Sequence, residues 1–157
     1  MGTASTEAKT QLAREAGAEV VINYKTQDFM SEARRWSDGA GLQVVYDSVG
    51  RDTFQGSLDS LAPRGMLALF GQSSGPVPPF DPQLLAQKGS LFFTRPTLRH
   101  YISSTEELRE RADDILSRVA AGTLKVRVDT QLPLAQAAES HRLLESRQTT
   151  GKVLLIP

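Results

Sequence analysis

Few residues of this 157-residue chain have the types and spacing to do chemistry. The stretch VVYDSVG, Val44 to Gly50, runs from β-branched and aromatic side chains straight into Asp47, Ser48 and Gly50. GMLALFG, Gly65 to Gly71, likewise leaves an apolar run on Phe70 and a side-chain-free Gly71. Small polar groups at the ends of strand-like runs suit either of two ends. One is ordinary turn chemistry, in which an Asp side chain accepts from its own backbone. The other is a seat where a flat ligand approaches the backbone, with Ser48 as a hydrogen-bond donor. Lys9, Tyr24 and Arg147 add two cations and an amphipathic ring. Each also has a plain structural role, as a solvated helix lysine, a rim aromatic, and a cation in a helix's last turn. No nucleophile–base pair and no metal cluster is apparent. Cysteine is absent, and His100 and His141 stand far apart without a ligand pattern around them. The residues leave both readings open, turn or ligand seat, and offer no pair for covalent catalysis by the protein.

The elements that would position them alternate. Short runs at EVVIN (Glu19–Asn23), QVVYD (Gln43–Asp47), GMLALFG and GSLFFT (Gly89–Thr94) are apolar on both faces. They predict strands buried between helices in a parallel sheet. Between them lie helical stripes: Ala8, Leu12, Ala13 and Ala16 behind a Ser5 or Thr6 cap, then Phe29, Met30, Ala33 and Trp36, then Phe54, Leu58 and Leu61 before Pro63. Repeated strand–helix–strand units predict an α/β, doubly wound fold. After Pro96 the pattern changes. Ser104-Thr-Glu-Glu107 is a capping box that opens a long helix carrying Leu108, Ala112, Ile115, Leu116 and Val119. A strand near Lys125–Thr130, a helix from Leu134 to Ser146 and a strand Lys152–Ile156 complete the chain.

Composition narrows the class of partner. Eighteen basic and eighteen acidic side chains leave no net charge, so no general attraction draws the chain to nucleic acid or anionic membranes. No run approaches the ~20 apolar residues needed to span a bilayer. The N-terminus, MGTASTEAK, is not basic-then-apolar like a secretory signal. A cytoplasmic protein is expected.

Taken in order, INY, VVYDSVGRDT, FGQSSGPVPPF, LAQKGSLFFTRPTL and LESRQTTGKVLLIP cover nearly the whole chain. Together they resemble the NADPH-dependent quinone oxidoreductases, the zeta-crystallin-like, zinc-independent branch of the medium-chain dehydrogenases. Full members are about twice this length, with a barrel domain and a Rossmann domain whose first strand carries a glycine-rich turn. No GxGxxG or AxxGGVG-like run follows a strand here. The resemblance thus implies a C-terminal portion: a partial Rossmann domain at 1–123, and at 124–157 a segment that returns to the catalytic domain. Gly2 to Thr6 would then follow the second Rossmann strand. The strands on either side of the missing ones, at Val21 and at Val44, would be left with unpaired edges.

The same resemblance implies the ligand and the residues that hold it. NADPH would pass a hydride to a quinone or related enone. Ser48, Phe70 and Gly71 would line its pocket, with Asp47 stabilising the turn. Lys9 would face the 2′-phosphate where NAD enzymes carry an acid. Tyr24 would lie beside the adenosine phosphate, and Arg147 would be a further cofactor contact. No catalytic residue is implied, because the cofactor carries the reactivity. The edge Leu91–Thr94 would pair with its twin in a homodimer. A non-catalytic dimerisation fragment is the alternative. An Asp at the end of a fourth strand also suits a methyltransferase-like α/β protein, but that class needs a glycine-rich first turn of its own.

Overall fold

The computed structural model describes residues 1–146 and 148–157. It divides into two compact units, Met1–His100 and Tyr101–Pro157.

In the first unit, β1 (Gly2–Ala4) leads through α1 (Glu7–Glu15) to β2 (Val21–Asn23), and α2 (Phe29–Trp36) leads on to β3 (Leu42–Asp47). Then come α3 (Phe54–Asp59), β4 (Leu61–Leu69), α4 (Gln83–Gln87), β5 (Phe92–Thr94) and α5 (Leu98–Tyr101), which straddles the boundary. Caps explain where the helices begin. Thr6 accepts from the Lys9 amide at 3.3 Å to start α1, as its sequence predicts. Asp28 accepts from the Met30 and Ser31 amides to start α2. The Ser31 hydroxyl, and then its amide, hold the Asp28 carboxyl below the usual range.

The strands form two parallel sheets, β1-β2 and β3-β4-β5. The α/β class and the parallel pairing are those expected, but two features correct the sequence reading. First, the resemblance places Gly2–Ala4 just after a strand. It is itself a strand, paired Gly2 to Val21 and Ala4 to Asn23, so β2 has a partner on one edge. The pairing joins segments nearly twenty residues apart, which local pattern does not register. β3 ends its sheet and has no strand on the side away from β4 among the described residues.

Second, the central strands are not buried on both faces. Val45, Leu67 and Phe93 align across the sheet and pack with Phe54, Leu58, Leu61 and Leu91. The opposite row, Val44, Met66 and Phe92, is exposed, and Tyr46 is 77% exposed. The cause is connectivity. Leu58 of α3 and Leu84 and Leu85 of α4 all join the Phe54 cluster, so both connections cover one face. On that face, full burial of Leu58, Leu61 and Leu67 stabilises the unit by about 1.5–3 kcal/mol each. β4 also starts earlier than its glycine suggests. Leu61 pairs with Leu42, Ala62 to Gly65 bulge out, and pairing resumes at Met66 with Val44. The bulge accommodates Pro63 in the strand.

In the second unit, α6 (Thr105–Ala120) begins with the anticipated capping box: the Ser104 hydroxyl accepts from the Glu107 amide at 3.2 Å, and the Glu107 carboxylate reaches back to the Ser104 amide. β6 (Val128–Pro133), α7 (Ala137–Glu145) and β7 (Lys152–Ile156) make a parallel strand–helix–strand unit. Thr150 donates through its hydroxyl and its amide to Asp129 across the start of this pair.

Candidate functional site

β3, β4 and β5 run parallel, so the residues that follow them share one edge of the sheet. Ser48 follows β3, Phe70 and Gly71 follow β4, and Arg95 follows β5. The carboxyl edge of a parallel sheet is where its open strand ends and turn backbone are available to a ligand.

The turn after β3 is built around one carboxylate. Asp47 is buried, and its Oδ1 accepts from the Val49 amide at 2.8 Å and the Gly50 amide at 3.1 Å. The Thr53 hydroxyl donates to it at 2.8 Å, and the Ser57 hydroxyl, from α3, donates to Oδ2 at 2.8 Å. The aspartate therefore faces inward and ties strand, turn and helix together. Its lone pairs are committed, and it has no free oxygen to offer a ligand. Ser48, beside it, is exposed. The abrupt end of VVYDSVG is thus a turn in the case of Asp47 and an open position in the case of Ser48.

The turn after β4 is clamped onto it. The Phe70 and Gly71 amides donate to the Asp47 carbonyl at 2.9 and 3.2 Å, and the Ser74 amide donates to the Val49 carbonyl at 2.8 Å. The Ser74 hydroxyl also donates to the Val49 carbonyl, and it accepts from the Asp52 amide at 3.1 Å. Gly71 is needed for this approach. A Cβ there would lie 2.2 Å from the Ser48 carbonyl oxygen. Gly50 meets the clamp from the other side at φ +91°, where a Cβ would lie 2.7 Å from the Gly75 carbonyl. These bonds tie the two turns into one shelf. Ser74 is the part that sequence reading missed; its only signal was a Ser-Ser-Gly turn after a strand.

Beyond Gly71 an open cleft of about 380 Å³ runs under the segment Pro76–Phe80. Phe80 and Phe93 form its floor and are themselves fixed against Phe54, with ring centroids 4.9 and 5.9 Å from it.

Lys9 and Tyr24 occupy the corresponding edge of the other sheet. Lys9 is in the first turn of α1 after β1, and Tyr24 follows β2, its amide donating to the Ala4 carbonyl at 3.1 Å. Lys9 is half-buried and Tyr24 is 46% exposed. The structure therefore brings Ser48, Phe70 and Gly71 together at one sheet edge, and Lys9 and Tyr24 at the edge of the other. Arg147 lies outside the described residues.

Residues 16–155 match the family model described as zinc-binding dehydrogenase. The chain belongs to that family. Quinone oxidoreductase 1 of Escherichia coli is 46% identical over the whole of this chain, which covers 49% of that protein. The 2-haloacrylate reductase of a Burkholderia species is 45% identical over the whole chain, which covers 47% of it. The crystal structure of Escherichia coli quinone oxidoreductase complexed with NADPH superposes with a TM-score of 0.95 at 46% identity, over 99% of this chain and 48% of that one. The chain is thus a homologue of the quinone oxidoreductases and spans about half the length of the relatives it matches. The family description names zinc, but the residues present do not fit it. The chain has no cysteine, and among the described residues no three His, Asp or Glu side chains gather to hold a metal. Nor is any helix among the described residues long and apolar enough to cross a membrane.

Proposed function

We propose that this chain forms the NADPH-holding half of a reductase that transfers a hydride from NADPH to a quinone or a related enone. The observation that carries the proposal is the shelf at the carboxyl edge of β3-β4-β5, where exposed Ser48 adjoins the side-chain-free Gly71. A nicotinamide bound there supplies the hydride, and a solvent proton completes reduction of the quinone to the hydroquinone. The chain's own work is to bind and orient. Ser48 donates a hydrogen bond to the cofactor, while Phe70 and Gly71 line the pocket on the nicotinamide side. Lys9 pairs with the 2′-phosphate, Tyr24 flanks the adenosine phosphate, and Arg147 adds a further contact. NADPH in the crystal structure of the Escherichia coli relative supports the choice of cofactor.

Residues 1–123 are the nucleotide-binding portion and 124–157 the segment that returns to a catalytic domain. The Leu91–Thr94 edge pairs with a second copy, and the protein works in the cytoplasm without nucleic-acid or membrane partners. The test is titration of nucleotide fluorescence with NADPH, with NADH as control. Selective binding of NADPH that is lost in Lys9→Ala supports the reading, and equal or absent binding of the two nucleotides sinks it.

A second reading is favoured by the edge position of β5, which ends the sheet β3-β4-β5 among the described residues. On it, the chain is a dimerisation element without a complete cofactor site. A folded, dimeric chain that binds neither nucleotide would select it.

A further inference from the structure

The cleft beside Gly71 contains a cation that the hydride-transfer reading does not use. Arg95 follows β5 directly and lines the cleft together with Phe80 and Phe93. Its guanidinium donates to the Pro96 carbonyl at 3.3 Å and forms no ion pair among the described residues. Of its five N–H donors most remain available, in a planar fork that matches a carboxylate. The wall is stiff, because Pro76, Pro78 and Pro79 fix the backbone φ along it. The floor is stiff as well: Phe80 and Phe93 meet edge to face at 5.5 Å and are anchored on Phe54. The cleft thus offers an apolar, aromatic slot of ligand size with a cation beside it, at the sheet edge that carries Ser48 and Gly71.

We propose that this cleft is the acceptor subsite and that Arg95 makes it selective for planar acceptors carrying an anionic group, such as aromatic carboxylates. The inference deepens the reductase reading and rests on it for the word acceptor; the anion selectivity stands on the cleft alone. The ring lies on the Phe80–Phe93 floor, and the carboxylate meets the guanidinium. Arg95 is a specificity residue with no part in proton or hydride movement.

An isosteric pair of unreactive probes tests this: 2-naphthoate and its neutral counterpart 2-naphthamide, titrated into the isotope-labelled chain and followed by amide NMR shifts. Naphthoate should bind about two- to fivefold more tightly than naphthamide at low salt, the range an exposed cation supplies. The shifts should centre on Gly71, Val77 and Phe80. Arg95→Gln should bring the two affinities together, and Arg95→Lys should restore part of the difference. Both substitutions are at an exposed position, and an unchanged spectrum elsewhere verifies the fold. Equal affinities in the unaltered chain, selectivity that survives Arg95→Gln, shifts centred elsewhere, or no binding of either probe would each overturn the proposal. Failure of the NADPH titration alongside selective naphthoate binding would sink the reductase reading and leave the anion subsite standing.

Discussion

Gly71→Ala puts the clamped shelf to a quantitative test. The added Cβ would lie 2.2 Å from the Ser48 carbonyl oxygen and 2.7 Å from the Ser48 Cα, and both are backbone atoms that cannot swing aside. Relief requires the two turns to separate by roughly 1 Å, an overpacking strain of about 1–3 kcal/mol. That separation also loosens the bonds from the Phe70 and Gly71 amides to the Asp47 carbonyl, worth about 0.5–1.5 kcal/mol each. Part of the strain is relieved by the bonds that break, so the expected loss is about 2–4 kcal/mol. The single tryptophan, Trp36, belongs to the first unit, so urea unfolding followed by its fluorescence reports on the right half of the chain. Gly2→Ala is the control, since nothing lies within 4 Å of the Cβ it would add. A Gly71→Ala loss below about 0.5 kcal/mol, no larger than an ordinary surface change, would refute the reasoning.

Asp47→Ala should destabilise the first unit by about 3 kcal/mol, because it strands the buried Gly50 amide, the part-buried Val49 amide and two hydroxyls. Asp47→Asn should cost less in the same urea assay, since its amide can donate to the hydroxyls that formerly donated to it. In the second unit, the Ser103 hydroxyl, the Ser103 and Ser104 amides and the Arg111 charge hold the Glu107 carboxyl below its ordinary 4.5. A lowered folded value means that this stabilisation is full above pH 4.5 and is lost as the pH falls through the lowered value. Circular dichroism should therefore show α6 weakening on acidification, with a shallower slope in Glu107→Gln. Sedimentation equilibrium should find a dimer if Leu91–Thr94 pairs with a second copy; a monomer at every concentration would remove that edge from the account.

What the sequence disclosed was local. The capping box at Ser104–Glu107 and the Thr6 cap were legible because three or four adjacent residues specify them. The run Lys152–Ile156 was read with its observed bounds because polar and turn residues fence it. Asp47 was legible as a turn residue, yet the Ser57 bond was not, since it joins side chains ten residues apart. Gly2–Ala4 was hidden because three residues carry no period and gain a strand only by meeting Val21–Asn23. The open face of β3-β4-β5 was misread for a different reason. Val44 and Tyr46 look the same in sequence whether or not a helix covers them, and coverage depends on which face the connections take. The family likeness, in contrast, was carried by ordered motifs along the whole chain and did not depend on any of these details.

The most direct measurement of the central claim is an amide NMR map of the chain titrated with NADPH. Shifts are expected at Lys9 and Tyr24 beyond β1 and β2, and at Ser48, Phe70 and Gly71 beyond β3 and β4, with weaker effects from NADH. Shifts confined to the second unit, or none at millimolar NADPH, would contradict the claim.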